Sequence, residues 1–344
     1  MRKRVICGLL ACWMAVFLCG CGAPKTETLD IFAMDTYMSL VAVGDGAAET
    51  LQKVSGEINA LEQELSRTIE SSDVARLNAE GSAALREDTA ELLRAALRYS
   101  AETEGAFDVT IAPLVALWGI TTDSPRVPSR EEIDALLPLV GFQHVRVNSD
   151  DTAELDEGCA VDLGGIGKGY ASDKAAELFA QSGISGGFVS LGGNVYVHGT
   201  TAGGKPWNVA IQDPGDTEKF ACTLRLSDAF VVTSGGYQRN FTAPDGTVYQ
   251  HIIDPATGYP VENGLLSVSI VTRRGTGSGT MADAYSTALY VMGVDGAVEF
   301  WNSHSGTFDM VLVTDQGQVL YTAGLANCFV ETEGSGYAYE CIGA

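Results

Sequence analysis

Asp162-Leu163-Gly164-Gly165-Ile166-Gly167-Lys168-Gly169-Tyr170-Ala171-Ser172-Asp173 sets four glycines, a lysine and a leading carboxylate between an apolar, strand-like run and a helical pattern. Glycines at such a junction let the backbone approach a ligand closely, and the N–H groups of a following helix face an anion. A phosphate-bearing ligand is the chemistry this suggests. Two familiar phosphate loops do not fit. The Walker pattern requires Ser or Thr after the lysine, where Gly169 stands, and the dinucleotide fingerprint requires a third glycine at Tyr170.

Asp283, Ser286 and Thr287 are three and four residues apart, so on a helix one carboxylate and two hydroxyls share a face. Such hard oxygens suit Mg²⁺, which takes few carboxylates and lets substrate phosphates complete its shell. The plain alternative is an aspartate near a helix N-terminus among small residues that permit tight packing. His251 and Asp254 lie in His251-Ile252-Ile253-Asp254-Pro255-Ala256-Thr257-Gly258-Tyr259-Pro260, at a strand end running into a turn. They could serve as base and orienter, or His251 could simply be a satisfied polar residue. Gly258 would supply a positive φ if the turn needs one. Ala106-Phe107-Asp108, which precedes an aromatic-bearing helix around Pro113–Gly119, reads by itself as ordinary core packing. Arg239, after the Ser234-Gly235-Gly236 turn, is free to meet a phosphate or a carboxylate.

The elements that must position these residues are legible in outline. Residues 31–43 read as a strand interrupted at Met34-Asp35-Thr36. Leu51, Val54, Ile58, Leu61 and Leu65 recur at helical spacing, and a second helix is expected over 88–104. Ser129 with Glu132 forms a capping box, and 171–181 should be helical. Strands are expected at 188–197, 207–212, 221–226, 230–233, 248–253 and 266–272, a helix over 281–292, and a closing hairpin at 310–313 and 319–322. Helices cluster early and strands late, which predicts an α+β class with mixed sheets packed against helices, and no clean linker divides the chain. The 121–128 stretch, with two prolines, is the expected surface loop.

Arg2, Lys3 and Arg4 followed by the apolar run 5–18 form a targeting leader, residues 1–20. Leu18-Cys19-Gly20-Cys21 then matches a bacterial lipobox, so Cys21 is the expected lipidation site. Residues 21–27 would form a lipid-anchored tether and 28–344 the folded domain. An extracytoplasmic protein held at the cell membrane by acyl chains is the localisation this implies. The remaining 324 residues suffice for a large core. Taking three positive charges from the net −23 leaves −26 on the exported part, which excludes nucleic acid and adsorption to anionic lipid. Cys159, Cys222, Cys328 and Cys341 lack C-x-x-C spacing, so no zinc site is indicated. They could pair outside the cytoplasm or stay free, and Cys328 with Cys341 is the first pair to check.

Taken jointly and in order, Met34-Asp35-Thr36, Ala106-Phe107-Asp108, Pro113-Leu114-Val115, Leu117-Trp118-Gly119, Asp162 to Asp173, Gly192-Gly193-Asn194, Thr233-Ser234-Gly235, His251 to Pro260 and Ala282 to Gly293 resemble the ApbE family of flavin transferases. The resemblance runs from about residue 28 to 323. It implies a single elaborate α+β domain and a Mg²⁺-dependent enzyme that moves the FMN half of FAD onto a Thr or Ser hydroxyl of a partner protein, releasing AMP. Acceptors of the family include subunits of sodium-pumping NADH:quinone oxidoreductases and related extracytoplasmic redox proteins. Carried over, Met34, Ala106, Phe107, Asp108, Asp162, Lys168 and Ile253 fall where the family contacts FAD. Asp283, Ser286, Thr287 and the carbonyl of Gly165 fall where it holds the metal, and His251 becomes the candidate general base.

Two positions depart from the family. Asp35 stands where Gly is common, and Thr68 where many members carry an aromatic residue that would stack on the flavin. No Asp-Gly-x-Thr/Ser-Ser/Thr acceptor motif occurs, since Asp245-Gly246-Thr247 places its hydroxyl one residue early. Self-flavinylation is therefore not expected. The competing readings are an FAD pyrophosphatase yielding FMN and AMP, and a non-catalytic FAD-binding lipoprotein.

Overall fold

Nine strands follow one another across the main sheet in the same order as along the chain. They are β1 (Thr26–Ala33), β2 (Thr36–Val43), β3 (Gly186–Leu191), β4 (Asn194–Gly199), β5 (Ala229–Gly235), β6 (Leu265–Arg273), β7 (Asp309–Thr314), β8 (Gln318–Thr322) and β9 (Ala338–Ile342). Each pair is antiparallel except β8 with β9. The structure is a computed structural model that describes residues 24–275 and 277–343. The leader, the lipobox and Cys21 lie outside the described residues.

Helices α1 (Ala47–Leu65), α6 (Gly167–Ser182) and α7 (Ser278–Ser303) cover one face of this sheet. Leu51, Val54, Ile58, Leu61 and Leu65 of α1 are all buried against it, as their spacing predicts. Each contributes about 1.5–3 kcal/mol of apolar burial. Between α1 and α6 lie α2 (Asp73–Glu80), α3 (Glu87–Glu102), α4 (Ala112–Trp118), α5 (Arg130–Leu136) and a small sheet of residues 82–84, 145–147 and 152–155. The other face of the main sheet packs Val197, Val231, Val271 and Val311 against a three-stranded sheet formed by residues 207–213, 216–226 and 329–331. Central strands are thus apolar on both sides, which explains the unbroken Phe230-Val231-Val232 run. A third cluster joins Leu114, Trp118 and Ile133 to Ile253, and the Trp118 indole donates to Gly258 O at 2.8 Å. Gly258 has φ 74°, and a Cβ there would lie 2.5 Å from Ile133 Cγ2.

The α+β class holds, and the capping box at Ser129 is complete. Several boundaries differ from expectation for identifiable reasons. The single strand expected over 188–197 is a hairpin, because Gly192 and Gly193 take φ 61° and 107° and turn the chain between β3 and β4. The helix expected from 171 begins at Gly167, inside the glycine loop. The helix expected over 281–292 runs from 278 to 303 and is broken at Gly293 (φ 76°, ψ −178°). Thr26 and Glu27, expected in a tether, already pair with Val43 and Ala42 as the start of β1. All four cysteines among the described residues are free, so Cys328 and Cys341 form no bridge. No helix among the described residues is long and apolar enough to cross a membrane.

Candidate active site

The termini of α1, α6 and β2, the residue 106–111 segment, the end of β5 and the residue 251–255 turn surround a cleft of about 500 Å³. That is room for a nucleotide-sized ligand. Met34, Ala106, Phe107, Asp108, Asp162, Gly165, Lys168, His251, Ile253, Asp283 and Thr287 all line it. Of the residues singled out from the sequence for chemistry and described by the structure, Ser286 and Asp254 are off the wall.

One wall is helical. Helices α6 and α7 approach so closely that a Cβ on Gly169 would lie 2.3 Å from Gly279 O and 2.6 Å from Asp283 Cβ. Asp173 of α6 then caps α7, accepting from Gly279 N (2.8 Å), Thr280 N (2.8 Å) and Thr280 Oγ1 (2.6 Å). Burial pushes the Asp173 carboxyl up to about 6 in spite of these donors. With both helices fixed, Asp283 Oδ2 accepts the Gly169 N–H at 2.7 Å. Oδ1 takes no hydrogen bond among the described residues. Thr287 lies one turn further on, with Oγ1 3.3 Å from Ser234 Oγ. A Cβ on Gly165 would be 3.6 Å from Thr287 Oγ1 and 3.2 Å from Phe107 Cε2, so only glycine fits comfortably where these three meet. Ser286 is fully buried behind them, its hydroxyl shared between Asp283 O (2.9 Å) and Ser234 Oγ (2.8 Å).

The glycine loop hangs from Asp162. Its Oδ1 accepts from Gly164 N at 2.8 Å, and its Oδ2 pairs with Arg67 Nε at 3.0 Å. Lys168 is held only by a long contact to Gly164 O, 3.4 Å, and is free to turn toward a ligand. Asp108 reaches the wall, but its carboxylate is spent inside the protein. It accepts from Thr110 N (2.8 Å), Thr110 Oγ1 (2.6 Å) and Phe142 N (2.8 Å). It braces the segment that presents Ala106 and Phe107.

The opposite wall is made of turns. Met34 and Asp35 both have positive φ, 49° and 55°, as a two-residue hairpin turn requires. Glycine takes such a φ freely, and aspartate is among the few other residues that tolerate it. The turn is clamped from both sides, by Met34 N donating to Glu62 Oε1 (2.7 Å) and by Arg239 Nη2 donating to Asp35 O (2.9 Å). Arg239 also holds His251, whose N–H donates to Arg239 O at 3.0 Å while Nδ1 lies 3.2 Å from the same oxygen. A carbonyl there requires the proton on Nδ1, which leaves Nε2 with its lone pair. Burial, and then the Arg239 and Lys168 charges, push the imidazole down to about 4, so it is neutral near pH 7. The orienter is thus Arg239 and not Asp254. Asp254 accepts from Ala256 N (2.9 Å) and Thr257 Oγ1 (3.0 Å) within its own turn.

Sequence reading did not assign roles to Glu62, Arg67, Ser234 or Asn194, all of which line the cleft, and expected Arg239 to meet a phosphate or a carboxylate, whereas it donates to Asp35 O. The partners of Glu62, Arg67, Ser234 and Arg239 are distant in sequence. Asn194 is buried, and its Nδ2 has no partner among the described residues.

The lining carries five carboxylates (Asp35, Glu62, Asp108, Asp162, Asp283) against Arg67, Lys168 and Arg239. A pyrophosphate entering here calls for additional positive charge. The free Asp283 oxygen, the Thr287 hydroxyl and the neighbouring Gly165 fit a hard divalent cation such as Mg²⁺. Among the described residues, no three His, Cys, Asp or Glu side chains converge as a metal cage. Such a cation would therefore share its shell with the ligand.

Residues 34–312 match the ApbE family. The FAD:protein FMN transferase of Escherichia coli (strain K12) is 34% identical over 307 residues, covering 83% of this chain and 86% of that protein. The transferase of the same name from Salmonella typhimurium is 32% identical over 339 residues, 92% of this chain and 95% of its own. Among solved structures, the ApbE protein of Thermotoga maritima superposes with a TM-score of 0.82 at 32% identity, covering 90% of this chain and all of that one. The apo flavinyl transferase ApbE of Pseudomonas stutzeri gives 0.74 at 29% identity, with 90% and 94% coverage.

Proposed function

This chain belongs to the ApbE family, and on that premise we propose that it is an FAD:protein FMN transferase acting on a Thr or Ser hydroxyl of an acceptor protein. What carries the reading is the convergence, in one cleft, of an Asp283–Thr287–Gly165 oxygen cluster, Lys168 at a helix N-terminus and a neutral His251. The pyrophosphate of FAD lies against the N-terminus of α6 and Lys168. Asp283, Thr287 and the Gly165 carbonyl, braced by Ser286, would hold Mg²⁺, which would supply positive charge to the phosphoryl oxygens.

His251 Nε2 takes the proton of the acceptor hydroxyl. The hydroxyl oxygen bonds to the FMN phosphorus, the pyrophosphate bond on that phosphorus breaks, and AMP departs with the bridging oxygen. Lys168 offsets charge developing on the phosphoryl group. Met34, Ala106, Phe107 and Ile253 give the apolar surface that receives FAD, and Asp108 and Asp162 hold the segments that present it. Cys21 carries the lipid that anchors the enzyme outside the cytoplasm, where acceptors such as sodium-pumping NADH:quinone oxidoreductase subunits are reached.

The test incubates the protein with FAD, Mg²⁺ and a purified acceptor domain bearing an Asp-Gly-x-Thr-Ser/Thr motif, reading acceptor mass and free AMP with EDTA as control. A gain of one FMN residue matched by AMP and lost in EDTA is expected. AMP and free FMN with an unmodified acceptor would instead mean hydrolysis.

A further inference from the structure

Five large apolar side chains are exposed among the described residues, and two of them, Phe32 and Tyr37, flank the Met34-Asp35-Thr36 segment that lines the cleft. Phe32 is 72% exposed and Tyr37 63%, and the two are direct cross-strand partners on β1 and β2. They bracket the Met34-Asp35 turn, so at about 3.3 Å per residue they stand within about 7 Å of the cleft edge. Val248, 60% exposed, lies on the opposite hairpin (residues 240–242 and 248–250), three residues before His251. The Arg239 to Asp35 hydrogen bond joins the two hairpins.

Core packing does not explain this arrangement. Leu29 and Ile31 of β1 turn inward toward the helices, while Asp30 and Phe32 face outward. The three-stranded sheet that covers the outer face packs over β4 to β7 and leaves the β1–β2 end bare. β1 is also an edge strand, with its outer backbone groups unpaired in the sheet.

We propose that Phe32 and Tyr37 form the docking rim for the acceptor protein, engaging an extended segment that flanks the hydroxyl to be modified. The proposal rests on the transferase reading. A protein that delivers a side-chain hydroxyl to His251 must cover the lip between these hairpins, and an extended segment crossing it meets the aromatic pair. Exposed aromatics beside a pocket are the residues that supply binding energy to a partner. Asp30, exposed on the same face of β1 as Phe32, in a chain of net charge −23, selects a segment that is neutral or basic.

The test compares the full-length protein with its F32S/Y37S variant, using a sodium-pumping NADH:quinone oxidoreductase subunit domain with the threonine motif as probe. Both changes are at exposed positions and leave the core intact. The KM for the acceptor should rise about tenfold or more, with kcat and the Kd for FAD within about twofold of wild type. An unchanged KM would overturn the rim, and a parallel loss of FAD affinity would assign the pair to the flavin site instead. A wild-type dimer broken by the variant, with KM unmoved, would give the face to a second copy. Failure of the wild type itself to modify the acceptor, with FAD bound, would sink the transferase reading and the rim together.

Discussion

The two walls of the cleft solve the same problem of fixing a reactive group by opposite means. On the helical wall, Gly169 and Gly279 let α6 and α7 touch backbone to backbone, so Asp283 is placed by close packing and one 2.7 Å hydrogen bond. On the other wall, nothing packs so tightly. Met34-Asp35 and His251 sit in turns held by a few polar contacts, most of which meet at Arg239. In the proposed mechanism, the groups that hold charge stand on rigid helices, whereas the group proposed to move a proton stands in a turn at the cleft. The titration of the two walls is also opposed. Asp173 is raised to about 6, so its contribution to stability is full below its ordinary value and is lost as pH rises through 6. His251 is lowered to about 4, so its contribution is full above 6.5 and is lost as pH falls toward 4.

Breaking the helical wall should have the largest effects. Asp283→Ala removes the only carboxylate of the proposed cation site, and Mg²⁺-dependent FMN transfer should fall by about 10³-fold or more while the fold survives, as measured by acceptor mass and circular dichroism. Normal turnover in Mg²⁺ would take Asp283 out of the chemistry. Gly169→Ala forces a methyl onto Gly279 O and should cost about 3 kcal/mol or more in denaturant unfolding, with transfer lost in step.

The turn wall should respond more selectively. His251→Ala should slow transfer by about 10²- to 10⁴-fold with FAD affinity retained. An unchanged rate would reduce the imidazole to a structural role. His251→Gln should also remove part of the stability lost between pH 6.5 and 4, and leave the limb above pH 6 untouched. Thr68→Tyr would restore an aromatic at the cleft edge and should tighten FAD binding about threefold to tenfold by fluorescence titration. Asp35→Gly relieves a positive φ and should add about 0.5–1 kcal/mol to stability. Loss of stability there would mean that the Asp35 side chain itself braces the turn.

Sequence patterns reached the two walls unequally. Apolar spacing marked α1, and the Asp283-Ser286-Thr287 spacing marked one face of α7, because both signals are local. The ordered motifs brought the site together through the family resemblance, and nearly every residue named from them lines the cleft. Contacts across long separations were not legible. Nothing near Arg239 announces a bond to Asp35, 204 residues away, and nothing near Asp173 announces a cap on α7, 106 residues on. Asp108 shows the reverse limit, since its motif marked the position but could not reveal that its carboxylate serves Thr110 and Phe142. The hairpin at Gly192-Gly193 was read as one strand because its flanks are equally apolar and the two glycines were weighed as a ligand motif.

The Asp173 cap and the Gly169–Asp283 bond also bear on how the protein comes into being. Each joins segments more than a hundred residues apart, so neither half of the helical wall exists until the chain has emerged past α7 and closed that long loop. A nascent or clipped chain ending before residue 278 would hold the glycine loop, the hairpin turn and His251, and still lack Asp283, the carboxylate of the proposed cation site. Competence therefore comes late and all at once. An enzyme built this way cannot begin to consume FAD while it is still only partly made.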